Sequence, residues 1–296
     1  MVNRTELKGT LLNNEPLAKY TSWRVGGPAR QMYIPEDKAD LIEFIAGLPE
    51  GEQLFWIGLG SNLLVRDGGI RGTVINTRSR LKDMQLIDSE RVYVEAGVPC
   101  AHVARFCSDL SLTGAEFLAG IPGTMGGALK MNAGAFGGET WSIVDSVEMI
   151  NACGEVFRRG KQDFEVAYRS VKGMDNEWFL SAQLKLAKGD GEASQRHIKA
   201  LLEKRNATQP TNKPTCGSVF KNPPGDYAAR LIESCGLKGY RIGDAVVSEK
   251  HANFIVNQGK ATAVDIETLI DHIQSQVKAQ FGISLQTEVC RVGEKA

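Results

Sequence analysis

The sequence predicts an α+β fold, and three observations predict it. Helical apolar spacing and short β-rich runs both occur, but without strict β-α-β-α alternation. Glycine and proline punctuate the whole chain. A charged amphipathic segment over residues 192–206, followed by Gln209-Pro210-Thr211-Asn212-Lys213-Pro214, marks a domain boundary near residue 190.

The elements follow in order. After Pro35, Ala39, Leu41, Ile42, Ile45 and Ala46 fall at helical spacing, so 37–47 reads as a helix. Leu54-Phe55-Trp56-Ile57 is a short apolar strand running into a glycine loop. Residues 73–76, 84–87 and 92–95 read as further strands, 98–110 as a helix, and 144–150, 156–158 and 178–186 as strands. Beyond the connector, 226–235 reads as a helix closed by Gly236, a natural left-handed cap. The helix at 262–281 is capped by Thr262 and carries the stripe Ile266, Leu269, Ile270, Ile273 and Val277. Residues 283–292 read as a final strand bearing Glu288.

The 296 residues suffice for two or three compact domains. Lysine plus arginine and aspartate plus glutamate each number 35, which argues against bulk attraction to nucleic acid or an acidic membrane and leaves room for a local basic pocket. The first residues lack the apolar core of a signal peptide, and 117–129 is too short and glycine-rich to span a bilayer. The six cysteines form no metal-binding spacing, so they read as reduced thiols of a cytoplasmic protein, with no metal expected. A redox-active thiol is the alternative, with Cys216, two residues before Ser218, its candidate.

Chemistry concentrates in the glycine-rich loops. Gly58-Leu59-Gly60-Ser61-Asn62 leaves a strand with main chain open to an anion. Leu63 occupies the third glycine position of a Rossmann turn and the Walker lysine is absent, so neither dinucleotide rule applies. A ligand-free tight turn is the alternative reading. Gly120 to Ala128 and Asn132 to Gly138 form a second such region, and Arg24-Val25-Gly26-Gly27 a third. Dispersed loops of this kind suit a long, extended ligand. Gly217-Ser218-Val219-Phe220-Lys221-Asn222-Pro223 sets a hydroxyl beside a lysine and an amide.

These segments resemble the family of UDP-N-acetylenolpyruvoylglucosamine reductases. The resemblance is carried by Thr21 to Ala29, Gly58 to Val65, Gly120 to Ala128, Tyr168-Arg169-Ser170, Gly217 to Pro223, Gly236 to Gly243 and Glu288-Val289, in the family's order along nearly the whole chain. It implies two FAD-clasping subdomains of the vanillyl-alcohol-oxidase type, residues 1–75 and 76–190, and a C-terminal α+β substrate domain, 191–296. The short path from Ser218 to the C-terminus resembles the family's compact type, which lacks an extra tyrosine-bearing loop. The tyrosine over the nucleotide-sugar phosphates is then missing.

The implied reaction reduces UDP-N-acetylglucosamine enolpyruvate to UDP-N-acetylmuramate for peptidoglycan, with FAD held non-covalently and NADPH as co-substrate. Hydride reaches the vinyl carbon, and charge accumulates on its neighbour and in the carboxylate. Arg169 suits that carboxylate. Ser218 suits the proton donor, directly or as a relay from water. Glu288, partly desolvated, can donate a hydrogen bond when protonated or orient Arg169 when ionised; an edge-strand ion pair is the alternative. The resemblance assigns the cofactor to Arg24, Gly26, Gly27, Gly58, Gly60, Ser61, Asn62, Leu63, Gly120, Pro122, Gly123, Thr124, Gly126, Gly127, Ala128, Asn132 and Gly134. The substrate is expected at Tyr168, Lys221 and Asn222, with Arg205, Lys238 and His251 as further candidates to line its phosphates; a packed or surface histidine is the alternative for His251. Trp56, Trp141 and Trp178 read as core. The protein is expected to act as a monomer. A flavin oxidase on the same fold would explain the loops but not the serine, arginine and glutamate together. A nucleotide-sugar binding module would show no NADPH turnover.

Overall fold

The computed structural model describes residues 7–296. The chain folds into two compact units. The first takes the chain up to Asn13, Gln31–Gly58 and Gly72–Glu203; the second takes Asn14–Arg30, Leu59–Arg71 and Lys204–Ala296.

Among the described residues, the two larger sheets, of four and five strands, lie mainly in the first unit. In one, the strands run in the order Thr10–Pro16, Pro28–Ile34, Ile70–Asn76, Leu54–Ile57, the last two parallel with Leu54 opposite Thr73. Helix α1 (Lys38–Ala46) starts where the Asp37 carboxylate accepts the Asp40 N–H, satisfying an orphan donor. It buries Leu41, Phe44 and Ile45 with Tyr33, Ile75, Ile150 and Leu180. The other sheet has the order Val156–Gly160, Val144–Asn151, Glu177–Lys185, Arg91–Glu95, Met84–Leu86, antiparallel throughout. Val147, Met149, Ala182, Leu184, Val92 and Val94 alternate onto one face. There they form one core with residues of helices α2 (Cys100–Asp109) and α3 (Met125–Met131) and with Trp141. The Trp141 indole N–H donates to Leu129 O at 2.8 Å, so this large ring is buried without an orphaned donor. Trp56 and Trp178 are half-buried and stack on each other at 5.7 Å. Helix α4 (Gly191–Thr208) carries the chain out of this unit.

The second unit is built on helix α6 (Ala263–Phe281), with helix α5 (Ala228–Ser234) beside it. Thr262 and Asp265 cap α6 reciprocally, and Gly282 ends it at φ +71°. The predicted stripe Ile266, Leu269, Ile270, Ile273 and Val277 is buried with Trp23, Phe220 and Leu231. Each such side chain contributes roughly 1.5–3 kcal/mol on burial. Trp23 is tied in at both ends: its indole N–H donates to Ile255 O (2.8 Å), and its carbonyl accepts from Asn257 Nδ2 (2.9 Å). A three-stranded antiparallel sheet (Arg241–Ile242, Ala245–Val247, Ile255–Asn257) and a parallel pair (Leu63–Val65 with Cys290–Val292) complete the unit.

The C-terminal stretch departs from the sequence expectation. Only Cys290–Val292 is a strand. Glu288 sits on a bend just after Thr287, which forms an isolated bridge with Phe220. The backbone turns there because its N–H groups bond Val219 rather than continuing one ladder. Among the described residues, no helix is long and apolar enough to cross a membrane.

Candidate active site

In the second unit, Ser218 follows Gly217, whose φ of +73° is left-handed and suits glycine. The next residue fixes the register: Val219 O accepts the Glu288 N–H at 2.8 Å, and Lys221 N–H donates to Gln286 O at 2.9 Å. Ser218 and Glu288 are therefore on adjacent stretches of main chain, and both residues are half-buried. Asn62 Nδ2 donates to Glu288 O at 3.0 Å, tying the first glycine loop to the same place. Gly60 lies against the Thr21 region: a side chain there would meet Tyr20 O at 2.1 Å, and Ser22 N–H donates to Gly60 O at 3.1 Å.

Asn253 holds the serine segment and escapes the motif reading. It is 4 % exposed. Its Oδ1 accepts the Phe220 N–H (2.9 Å), its Nδ2 donates to Phe220 O (2.8 Å), and its carbonyl accepts the Val219 N–H (2.9 Å). The available signal was an amide inside the apolar run Ala252 to Val256, since a buried polar side chain must find partners.

In the first unit, Tyr168 and Arg169 form the two-residue turn between antiparallel strands Glu165–Ala167 and Ser170–Lys172. Arg169 has φ +52°, a conformation that glycine or asparagine adopts more readily. Its Nη2 donates to Gly134 O at 2.8 Å and its Nη1 to Asn132 O at 3.4 Å. The guanidinium also lies 5.0 Å from the Tyr168 ring centroid, within cation–π range, while Tyr168 stays exposed.

The glycine segments of this unit meet each other. A side chain on Gly58 would come within 2.4 Å of Thr124 Oγ1, one on Gly120 within 2.4 Å of the Phe136 ring, and one on Gly126 within 3.0 Å of Ala96 Cβ. The Met125 and Gly126 N–H groups donate to Val98 O and Ala96 O, and Gly123 O accepts the Cys100 N–H. Gly127 differs: a side chain there would meet only Thr124 Oγ1, at 3.9 Å. Pro122 and Gly127 are exposed, whereas Ala128 packs into the core. A side-chain-free strip ending in open space fits the close approach of a flat or phosphate-bearing cofactor. In the second unit, Gly26 and Gly27 pack on Val65 and on Asp67 O, exposed Arg24 turns at φ +60°, Leu63 pairs with Cys290, and Ser61 is half-buried.

The remaining candidates have local partners. Asn222 Oδ1 accepts the Ala228 N–H at 3.1 Å, at the start of α5. Lys238 Nζ is paired with Glu233 at 2.7 Å. Arg205 Nε donates to Gln209 at 3.3 Å, and burial holds its pKa below the usual guanidinium value. His251 Nδ1 accepts the Asn253 N–H at 3.3 Å; burial lowers its pKa, which favours the neutral ring. The redox alternative for Cys216 is corrected. Burial pushes its pKa up to about 12, and its thiol is directed at Leu63 O (3.5 Å) and Gly60 O (3.7 Å), so reactive thiolate is suppressed. Among the described residues, no group of three His, Cys, Asp or Glu side chains is placed to hold a metal.

Comparison with known proteins accounts for both units. An FAD binding domain model matches residues 29–160, and a model of the UDP-N-acetylenolpyruvoylglucosamine reductase C-terminal domain matches 209–292. The reductase of that name from Methylococcus capsulatus is 60% identical over 287 residues, covering 97% of this chain and 94% of its own length. That from Legionella pneumophila (strain Lens) is 59% identical over 291 residues, covering 98% and 94%. The crystal structure of UDP-N-acetylenolpyruvylglucosamine reductase from Thermus caldophilus matches with a TM-score of 0.81 at 32% identity, covering 96% of this chain and 98% of that one. The α+β fold read from the sequence, flavin-binding part first, is thereby established. The chain belongs to the UDP-N-acetylenolpyruvoylglucosamine reductase family and is an FAD-dependent oxidoreductase.

Proposed function

We propose that the protein reduces UDP-N-acetylglucosamine enolpyruvate to UDP-N-acetylmuramate with NADPH, as a cytoplasmic monomer supplying peptidoglycan synthesis. Residues 1–75 and 76–190 serve as its flavin-clasping subdomains and 191–296 as its substrate domain. The two matched family models support a flavin-binding part followed by a substrate part. The observation that carries the chemistry is the 2.8 Å bond from Glu288 N–H to Val219 O, which sets Ser218 beside Glu288.

Bound FAD, once reduced by NADPH, supplies the hydride for the vinyl carbon. The loops at Arg24 to Gly27, Gly58 to Leu63 and Gly120 to Ala128 would hold that cofactor, and the open main chain at Gly127 supports this role. Arg169 binds the substrate carboxylate and gains strength as negative charge spreads into it. Ser218 delivers a proton to the carbon beside the one that receives hydride. Glu288 hydrogen-bonds the developing enolate. Tyr168, Arg205, Lys221, Asn222, Lys238 and His251 contact the nucleotide sugar.

The test separates the half-reactions. NADPH should bleach the flavin anaerobically, and the enolpyruvyl UDP-sugar should restore its colour. Ser218→Ala should bleach normally but recover colour about 10²–10⁴-fold more slowly. A Ser218→Ala protein that recovers at the wild-type rate removes the serine from the proton transfer.

A further inference from the structure

Asn132 and Gly134 are expected at the cofactor, yet their geometry points inward. Asn132 is 1 % exposed and ends α3 at φ +46°, a value that asparagine tolerates. Its Oδ1 accepts the Trp141 N–H at 3.1 Å. Its Nδ2 donates twice, to Glu139 Oε2 at 2.9 Å and to Ala167 O at 3.1 Å. Ala167 is the last strand residue before the Tyr168-Arg169 turn. The carbonyl of Asn132 meets the tip of the same turn, accepting from Arg169 Nη1 at 3.4 Å.

The short strap after Asn132 completes the seat. Thr140 Oγ1 and N–H both donate to Ala133 O, at 2.7 and 2.9 Å, which pins the strap from below. Gly134 O then accepts Arg169 Nη2 at 2.8 Å. A side chain at Gly134 would sit 2.4 Å from Gly138 O and 3.1 Å from Arg169 Nη1, so the guanidinium occupies space that only glycine leaves.

We infer that Asn132 and Glu139 are positioning residues for Arg169: the Asn132 amide, held by the Glu139 carboxylate, fixes both the base of the hairpin turn and the guanidinium at its tip. The inference rests on the reading that Arg169 meets the substrate carboxylate. An arginine side chain has many rotamers, and anchoring its turn and its head group removes that freedom before substrate arrives. The carboxylate of Glu139 is needed because the second Nδ2 hydrogen would otherwise lack an acceptor in a buried place.

The experiment uses the full FAD-loaded chain and compares Asn132→Asp, the double variant Asn132→Asp/Glu139→Gln, and Arg169→Ala. Aspartate keeps the size and tolerates the backbone, but it removes both donors and faces Glu139 with a second carboxylate. Three quantities are read: flavin reduction by NADPH, reoxidation by the enolpyruvyl UDP-sugar, and calorimetric preference for UDP-N-acetylmuramate over UDP-N-acetylglucosamine, which lacks the carboxylate. Asn132→Asp is expected to slow reoxidation about 10- to 100-fold, with reduction by NADPH held within about 2-fold and the carboxylate preference lost. In the double variant the amide introduced at position 139 can donate to the carboxylate introduced at position 132, while nothing restores the bond to Ala167 O, so reoxidation and preference should both recover in part. The inference is overturned if Asn132→Asp keeps wild-type reoxidation and preference, if both half-reactions slow equally, or if the double variant recovers neither. Arg169→Ala tells the two failures apart. Wild-type reoxidation in Arg169→Ala removes the Arg169 role itself, and this inference with it. Impaired Arg169→Ala beside unimpaired Asn132→Asp removes the positioning alone. If Asn132→Asp fails to accumulate as yellow protein, Asn132→Gly, which suits φ +46°, is judged by the same reoxidation and preference results.

Discussion

The seats of Arg169 and Ser218 solve opposite problems with similar parts. Around Arg169, main-chain carbonyls of Asn132 and Gly134 hold a charged side-chain head. Around Ser218, the buried side chain of Asn253 holds main chain, gripping Phe220 on both its N–H and its carbonyl. The difference follows from reach. A serine hydroxyl is one bond from Cβ, so fixing the backbone fixes it. An arginine head lies several rotatable bonds out, so the head itself needs anchoring. Both seats use an asparagine because its amide donates and accepts at once.

The contrast between the seats is tested most severely at Gly134. Gly134→Ala puts a methyl group against Gly138 O and the Arg169 guanidinium, and reoxidation should fall by about 10²-fold or more. Stopped-flow absorbance of the reduced enzyme mixed with the enolpyruvyl UDP-sugar checks it, and no comparable loss should appear when NADPH reduces the flavin. Asn253→Asp tests the other seat. Its carboxylate would face Phe220 O without a proton to donate, and reoxidation should slow roughly 10-fold at pH 8. Protonation at lower pH supplies the missing donor, so the rate measured from pH 8 to 5 should climb back toward wild type. A flat deficit across that range would show that the Phe220 contact is not what was lost.

The smallest effect concerns the turn that presents Asn253. His251 accepts the Asn253 N–H and has a pKa lowered by burial. The unfolded chain therefore takes up a proton more readily than the folded one as pH drops below about 6.5, so this group's stabilisation is present above that pH and lost below it. Tm should fall by roughly 1–3 °C more between pH 7.5 and 5.5 in wild type than in His251→Gln. Equal falls in a differential scan would leave the histidine without a part in the turn's stability.

Much of this molecule is readable before folding. Helix α6 announces itself through Thr262, its apolar stripe and Gly282, because caps and periodicity are local. Leu54–Ile57 reads correctly as a short strand, because its apolar run is local too. Ser218, Arg169 and Glu288 stand out as candidates because they sit in motifs. Their surroundings are not. Asn253 reaches Phe220 across 33 residues, and Asn132 reaches Ala167 across 35, distances over which no spacing rule operates. Glu288 reads as a strand residue because apolar residues flank it, but its N–H bonds Val219, and a long-range bond sets the bend. Lys238 looks like a phosphate ligand in sequence, and only its 2.7 Å contact with Glu233 reveals a competing partner.

Arg169 stands at φ +52°, where glycine would rest with less strain. Heat resistance and turnover should therefore rank substitutions at this codon in opposite orders. On the role proposed for Arg169, a library sorted for survival after heating would enrich glycine here and return sturdy, idle protein. Any breeding programme toward ruggedness has to hold this one position fixed by hand.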